Sequence, residues 1–251
     1  MASTLVLLRH GESTWNRENL FTGWHDVPLS DTGRAEAAEA GHTLADAGVW
    51  FDVGHTSLLT RAVATCNLAL ESLGQAWLPL QRSWRLNERH YGALQGLDKK
   101  ATNERHGEAQ TKLWRRSYNV PPPPVPRSSP EHPANDLRYR LLPPDVLPAS
   151  ECLQDVVARV LPYWHDSIVP QLRAGLTVLV VAHGNSLRAL VKHLESISDK
   201  EIAELNIPTG VPRRYVFNSR LRVRSREYLG DTSIIAAAAQ RVAQQASGGH
   251  A

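Results

Sequence analysis

Leu5-Val6-Leu7-Leu8-Arg9-His10-Gly11-Glu12-Ser13, near the start of the chain, is answered far downstream by Thr177-Val178-Leu179-Val180-Val181-Ala182-His183-Gly184-Asn185-Ser186. Each stretch is an apolar run that ends in a histidine and a glycine. The runs read as buried strands, and each His-Gly pair as the turn leaving a strand's end. A histidine beside an arginine at such a point sets a nucleophilic ring nitrogen next to a fixed cation able to hold phosphate oxygens through two N–H groups. Glycine at Gly11 lets the backbone turn tightly and lets an anion approach its N–H groups. The pair points to chemistry on a phosphoryl group.

Outward from these stretches, short apolar runs alternate with helical spacing, the order expected of an α/β sheet covered on both faces. Ser30 caps a helix with Ala37, Ala40, Gly41 and Leu44 on one face. Asp52 to Ser57 reads as a strand, followed by a helical stripe of Leu59, Ala62, Val63, Cys66, Leu70 and Leu73. Cys152 to Ile168 forms an amphipathic helix carrying Leu153, Val156, Val157, Val160, Leu161 and Trp164, and Leu187, Leu190, Val191 and Leu194 continue as a helix behind His183. Residues 91–148 break the rhythm: Pro121 to Pro124, Pro126, Pro130, Pro133, Pro143, Pro144 and Pro148 exclude regular helix or inner strand from much of the stretch. It reads as a cap inserted into a single domain of residues 1–230, with charged residues that suit a lid. The tail, 231–251, is partly flexible, its alanine- and glutamine-rich Ile234 to Gln245 able to form a helix before the loose Ser247-Gly248-Gly249.

Composition narrows the function classes. At 251 residues with a formal charge of +3, the chain has room for a large core and no excess of positive charge that would demand nucleic acid. It has no apolar stretch of the ~18 residues a membrane span needs and no export signal, so a soluble, cytoplasmic protein is expected. Cys66 and Cys152 fall in apolar helical patterns, so neither a disulfide framework nor a zinc site is expected. Arg220, Arg222, Arg224 and Arg226 alternate with Leu221, Val223 and Ser225, which places four guanidinium groups on one face of a strand. Without interleaved aromatic residues these arginines read as an edge protected by charge rather than as a nucleic-acid surface.

The chemistry needs a nucleophile, an anion clamp and a proton donor. His10 is the candidate nucleophile, one ring nitrogen attacking phosphorus while the other is held protonated by a backbone carbonyl. Arg9, Arg61 and His183 are candidates to stabilise the equatorial oxygens, and Glu88 to shuttle the proton of an accepting hydroxyl. Singly, each has a plain alternative: Arg61 as a helix-surface charge, Glu88 as an ion-pair partner of Arg85 or Arg89. His90, His106 and His132 have no comparable context and read as structural.

Arg9-His10-Gly11-Glu12-Ser13-Thr14-Trp15-Asn16 resembles the signature of the histidine phosphatase superfamily. Further blocks resemble the 2,3-bisphosphoglycerate-dependent phosphoglycerate mutases within it: Phe21-Thr22-Gly23-Trp24, Leu86 to Gly96 (LNERHYGALQG), Trp114-Arg115-Arg116, His183 to Leu190 (HGNSLRAL) and Glu204 to Pro212 (ELNIPTGVP). These blocks span most of the chain from Leu5 to about Gly230. The resemblance implies a three-layer α/β/α fold with a mostly parallel mixed sheet, and glycolytic and gluconeogenic interconversion of 3-phosphoglycerate and 2-phosphoglycerate. His10 would become phosphohistidine, primed by 2,3-bisphosphoglycerate without a metal, with Glu88 as proton donor and acceptor and Arg9, Arg61 and His183 on the phosphoryl group. The implied substrate pocket comprises Ser13, Asn16, Thr22, Gly23, Arg89, Tyr91, Lys99, Arg115, Arg116, Gly184 and Asn185, with small-molecule phosphoglycerates as the only partners besides further copies in a homo-oligomer. Thr60 stands where relatives commonly carry lysine, and Ala134-Asn135-Asp136-Leu137 where Gly-His-Asp-Pro is familiar; neither removes a catalytic group. The rival enzyme reading is a phosphohistidine phosphatase, with water as acceptor; bisphosphoglycerate synthesis is a variant of the same chemistry. The rival from another class is a catalytically silent anion-binding protein.

Overall fold

The computed structural model describes residues 3–247. Its strands β1 (Ser3–Arg9), β2 (Val53–Thr56), β3 (Leu80–Arg82), β4 (Thr177–Ala182), β5 (Arg213–Phe217) and β6 (Val223–Tyr228) form one sheet in the order β3-β2-β4-β1-β5-β6. The first four are parallel, β5 runs antiparallel to β1, and β6 antiparallel to β5. Around it pack α1 (Thr14–Arg17), α2 (Asp31–Asp46), α3 (Thr60–Leu73), α4 (Lys99–His106), α5 (Glu108–Arg116), α6 (Leu153–Tyr163), α7 (Val169–Arg173), α8 (Gly184–Glu195) and α9 (Thr232–Ser247). No helix among the described residues is long and apolar enough to cross a membrane.

The continuous apolar runs of β1 and β4 exist because both faces of the sheet are covered. Leu5 and Leu7 of β1, with Val178 and Val180 of β4, pack on one face against α6, α7 and α8 through Val156, Val160, Leu172 and Leu190. Val6 and Leu8, with Leu179 and Val181, pack on the other against α2 and α3 through Ala40, Leu44, Cys66 and Leu70. The two-residue period of the strands therefore sorts the core into two clusters, as three layers require. The helical stripes expected from spacing are the buried faces of α2 and α3, apart from Val63, which is only partly buried. Ser30 caps α2 by accepting the Gly33 N–H at 3.0 Å. Burial pushes the Cys66 thiol up to about 12, so it stays protonated as a core side chain.

Two expectations are modified. The helix expected over Cys152 to Ile168 begins one residue later, with Cys152 at its cap, and does not end at Ile168: a widened π turn, Trp164–Ile168, leads directly into α7. That turn lies between Pro162 and Pro170, each lacking the N–H that a regular helix would use. The arginine ladder is not a single face of one strand. Arg220 lies in the β5–β6 turn, Arg222 precedes β6, and the register passes from Val216↔Ser225 to Phe217↔Val223, which leaves Arg224 as a bulge. Of the four arginines only Arg226 shares the face of Tyr215 and Phe217, with Val223 and Tyr228 beside it. β6 is nonetheless an edge strand, where a bulge and exposed arginines both oppose pairing with another sheet.

Between β3 and α6 the chain forms α4, α5 and then short 3-10 turns over the proline-rich part. Side chains tie this part down. Asn135 Nδ2 donates to the Arg127 and Ser129 carbonyls, both at 2.8 Å, and Arg138 bridges Asp136 and Asp26. Thr60, at the start of α3, donates its backbone N–H and its hydroxyl to the same Asp26 at 2.7 and 2.8 Å. Of the residues that differ from the familiar pattern, Thr60 thus joins a network through Asp26 and Arg138 that links this segment to the body, while Asn135 bonds within the segment itself.

Leu8 lies wholly inside the second cluster. Leu8→Ala is expected to cost about 2–5 kcal/mol and to lower the thermal midpoint by roughly 5–15 °C, read by circular dichroism.

Candidate active site

Parallel pairing sets Arg9 of β1 beside Ala182 of β4, so the next residues, His10 and His183, leave the sheet together. His10 N–H donates to the Ala182 carbonyl at 3.0 Å. The two rings meet edge to face, their centroids 4.9 Å apart. This is the carboxyl end of the parallel strands, where open α/β sheets place their ligands.

His10 is 3% exposed, and its Nδ1 lies 2.6 Å from the Gly11 carbonyl oxygen. A carbonyl only accepts, so Nδ1 carries the ring proton and Nε2 keeps its lone pair. Burial, then the nearby Arg61 and Arg9, hold the imidazole pKa well below its ordinary value. His10 is a neutral ring with its far nitrogen free, the state a phosphorus nucleophile needs. Gly11 serves another purpose than anion approach: its N–H donates to Thr65 Oγ1 at 3.2 Å, and a Cβ there would meet the Gly33 carbonyl oxygen at 2.1 Å. Close packing of this turn on the start of α2 requires the glycine.

Arg61 is not a surface charge. It is 1% exposed, and its guanidinium donates to the Gly23 and His25 carbonyls at 2.7 and 3.0 Å. Gly23 sits at φ +58°, a left-handed conformation that presents this carbonyl, and a Cβ there would run into the Gln95 side chain at 2.2 Å. Arg9 is oriented through its Nη1 bond to the Ile207 carbonyl at 2.7 Å. Burial pushes Arg61 down to about 10, which leaves it charged at neutral pH.

Glu88 faces the same pocket. Its Oε1 accepts the Arg89 N–H at 2.6 Å and the Asn185 N–H at 3.1 Å, in the first turn of α8. Its backbone carbonyl is held by Trp24 Nε1 and by Arg159 Nη2, the latter at 2.9 Å. Arg159 is itself locked by a buried ion pair to Glu151, Nε to Oε1 at 2.6 Å. The carboxylate is thereby placed from both its own ends.

The pocket between these groups is bordered by Asn16, Thr22, Gly23, Tyr91, Gly184 and Asn185, and by the cations Lys99, Arg115 and Arg116. Ser13, Arg89 and His183 stand behind that lining. Ser13 caps α1, its Oγ accepting the Asn16 N–H at 3.1 Å; Arg89 lies over the Tyr91 ring and donates to the Arg115 carbonyl at 2.8 Å. Sequence reasoning passed over Arg188, Asn206 and Val242, which also border the pocket. Arg188 is one helical turn beyond Gly184, so the 3.6-residue period was a usable signal. It donates to Asn185 Oδ1 at 2.8 Å, while Arg116 donates to Asn206 Oδ1 at 2.8 Å. Asn206 stood only inside the Glu204 to Pro212 block, and Val242, from α9, carried no local signal.

Among these lining residues the cations face a single carboxylate, Glu88. Buried donors are left without partners: Arg9 Nε, Arg89 Nε and Nη1, Arg188 Nε, and the Thr22 hydroxyl. Burial, together with Arg115 and Arg9, pushes Lys99 down to about 7. Such a site can bind an anion with several negative groups, which would supply both the missing acceptors and the missing charge. Among the described residues no group of three or more His, Cys, Asp or Glu side chains is arranged to hold a metal ion.

Lys99 loses its charge as pH rises through about 7 in the ligand-free pocket. Affinity for a multiply charged anion such as sulfate is therefore expected to weaken between pH 6 and 8, with proton uptake on binding near neutrality. Titration calorimetry in two buffers of different ionisation enthalpy measures both, and Lys99→Met should abolish the proton uptake.

The family model described as histidine phosphatase superfamily (branch 1) matches residues 5–220. A 2,3-bisphosphoglycerate-dependent phosphoglycerate mutase of Nitratidesulfovibrio vulgaris, strain Miyazaki F, is 57% identical over 242 residues, covering 96% of this chain and 97% of the relative. Among solved structures, the phosphoglycerate mutase of Bacillus anthracis superposes with a TM-score of 0.66 at 24% identity, over 94% of this chain and 96% of that one. The alpha-ribazole phosphatase of Shigella flexneri gives 0.65 at 22% identity, over 88% and 95%. Mutase and phosphatase alike share this arrangement of sheet and helices, so the structural matches speak for the fold, and the 57% identity carries the assignment further. The chain belongs to the histidine phosphatase superfamily and, within it, to the family of 2,3-bisphosphoglycerate-dependent phosphoglycerate mutases.

Proposed function

We propose that the protein interconverts 3-phosphoglycerate and 2-phosphoglycerate through a phosphohistidine on His10. The observation that carries this reading is the buried, neutral His10, its Nε2 free, in one cation-lined pocket with Glu88. The family supports the same reading. The orphaned guanidinium N–H groups of Arg9, Arg89 and Arg188 suit a ligand with several anionic oxygens, as 2,3-bisphosphoglycerate has. Lys99, Arg115 and Arg116 would hold its end remote from His10. When bound, that compound supplies the phosphoryl group that primes the enzyme.

His10 Nε2 forms the bond to phosphorus while Nδ1–H stays on the Gly11 carbonyl. Arg9, Arg61 and His183 stabilise the charge on the phosphoryl oxygens in transfer. Glu88 takes the proton from the hydroxyl of phosphoglycerate as that oxygen accepts the phosphoryl group and the P–Nε2 bond breaks, and it returns a proton to the opposite oxygen when the P–O bond there breaks and its phosphoryl group passes to His10. The guanidinium groups supply the positive charge that a metal supplies elsewhere, and the neutral His183 ring adds an N–H donor, so the reaction is read as metal-independent. A cytoplasmic, homo-oligomeric enzyme acting in glycolysis and gluconeogenesis belongs to the same proposal.

Incubated with 3-phosphoglycerate and a chelator, the protein should form 2-phosphoglycerate rapidly only when catalytic 2,3-bisphosphoglycerate is added. Free phosphate with little isomerisation would replace this reading by a phosphatase. His10→Ala should fold normally yet retain no acid-labile phosphate. Glu88→Gln, which keeps the shape and removes the mobile proton, should lower kcat by about 10²–10⁴-fold with KM little changed; an effect confined to KM would leave Glu88 a binding group only.

A further inference from the structure

Ser57 lies between β2 and α3, wholly buried and outside the lining of the pocket. Its position follows from the sheet: β2 pairs in parallel with β4 through Thr56↔Val181, so Ser57 runs alongside the residues that lead to His183. Its Oγ is 2.8 Å from His183 Nε2 and accepts the Leu59 N–H at 3.1 Å. The next residue is also fixed, Leu58 N–H donating to Asn87 Oδ1 at 3.1 Å, beside Glu88.

A serine hydroxyl has one proton to give. With the Leu59 N–H occupying one lone pair, the acceptor within reach of that proton is His183 Nε2. His183 Nδ1 is buried and makes no hydrogen bond among the described residues. Were Nε2 the protonated nitrogen, the Ser57 hydroxyl proton would be buried without an acceptor, which is costly. With the proton on Nδ1, every group of the pair is satisfied except the Nδ1 donor itself. Burial, then Arg61 and His10, hold the His183 pKa well below its ordinary value, consistent with a singly protonated ring at the start of α8.

We infer that Ser57 is a positioning residue for phosphoryl transfer: its hydroxyl holds His183 in the Nδ1–H tautomer, so that the ring donates from Nδ1 to an oxygen of the transferring group. Its expected effect on rate rests on the function proposed above; the tautomer does not.

The test uses the whole chain labelled with ¹⁵N-histidine, the His183 signals being identified by their loss in His183→Gln. In the unsubstituted protein His183 should show a protonated, pyrrole-type Nδ1 and a pyridine-type Nε2. Ser57→Ala should release this preference and lower kcat by about 10–100-fold with KM changed less than about twofold, the range typical of losing a partner that orients a catalytic imidazole. Ser57→Thr, which keeps the hydroxyl, should restore the tautomer and most of the rate. A protonated Nε2 in the unsubstituted protein, or an unchanged tautomer and kcat in a folded Ser57→Ala, would overturn the inference. Should Ser57→Ala not fold, the tautomer of the unsubstituted protein decides. Absence of isomerase activity in the unsubstituted protein would count against the proposed function and leave the tautomer measurement intact.

Discussion

The parallel pairing of β1 with β4 is the constraint on which the rest of the protein depends. It is a backbone interaction between residues more than 170 positions apart, and its register sets Arg9 against Ala182. A slip by one residue would turn Leu5, Leu7, Val178 and Val180 toward the wrong helices and move one histidine past the other. Because both strands are buried on both faces, the register is held by two apolar clusters at once. Hydrophobic burial and catalytic geometry are therefore specified by the same contacts.

The candidate active site is in turn an electrostatic arrangement that the chain itself leaves unbalanced. Several guanidinium groups crowd a pocket with one lining carboxylate, and the protein holds them by pointing them at backbone oxygens: Ile207 for Arg9, Gly23 and His25 for Arg61, Arg115 for Arg89. Carbonyl oxygens orient a cation without neutralising it. Burial, reinforced by the remaining positive field, lowers Lys99 and keeps both histidines neutral. Together they suit His10 to act as a nucleophile, favour an anionic ligand and couple binding to protonation.

Glu88, the acid–base group of the proposed mechanism, is placed with equal care. The chain around Glu88 is fastened to α6 through Arg159 and Glu151 and to the early loop through Trp24, while its carboxylate rests on N–H groups of Arg89 and Asn185. Glu151 also accepts the His90 N–H at 2.8 Å, so the chain returning from the proline-rich segment and the Glu88 loop are joined at one point. A carboxylate that must pass a proton between two oxygens of a ligand needs this fixed base, since small misplacement is costly in rate.

The sequence by itself determined what depends on local period and residue type. Continuous apolar runs marked β1 and β4, the 3.6-residue period marked the buried faces of α2, α3, α6 and α8, and the His-Gly pairs marked the strand ends where the candidate site lies. Arg61 and Glu88 were legible only as parts of a pattern, because nothing local distinguishes a buried guanidinium from a solvated one. The tertiary structure alone decided that Gly11 is required by Gly33, that a bulge at Arg224 breaks the arginine ladder, and that Ser57 meets His183. The physical reason is the same in each case. These contacts are made across the sheet or between layers, by residues brought together through strand register and helix packing, and neither leaves a period in the neighbouring sequence.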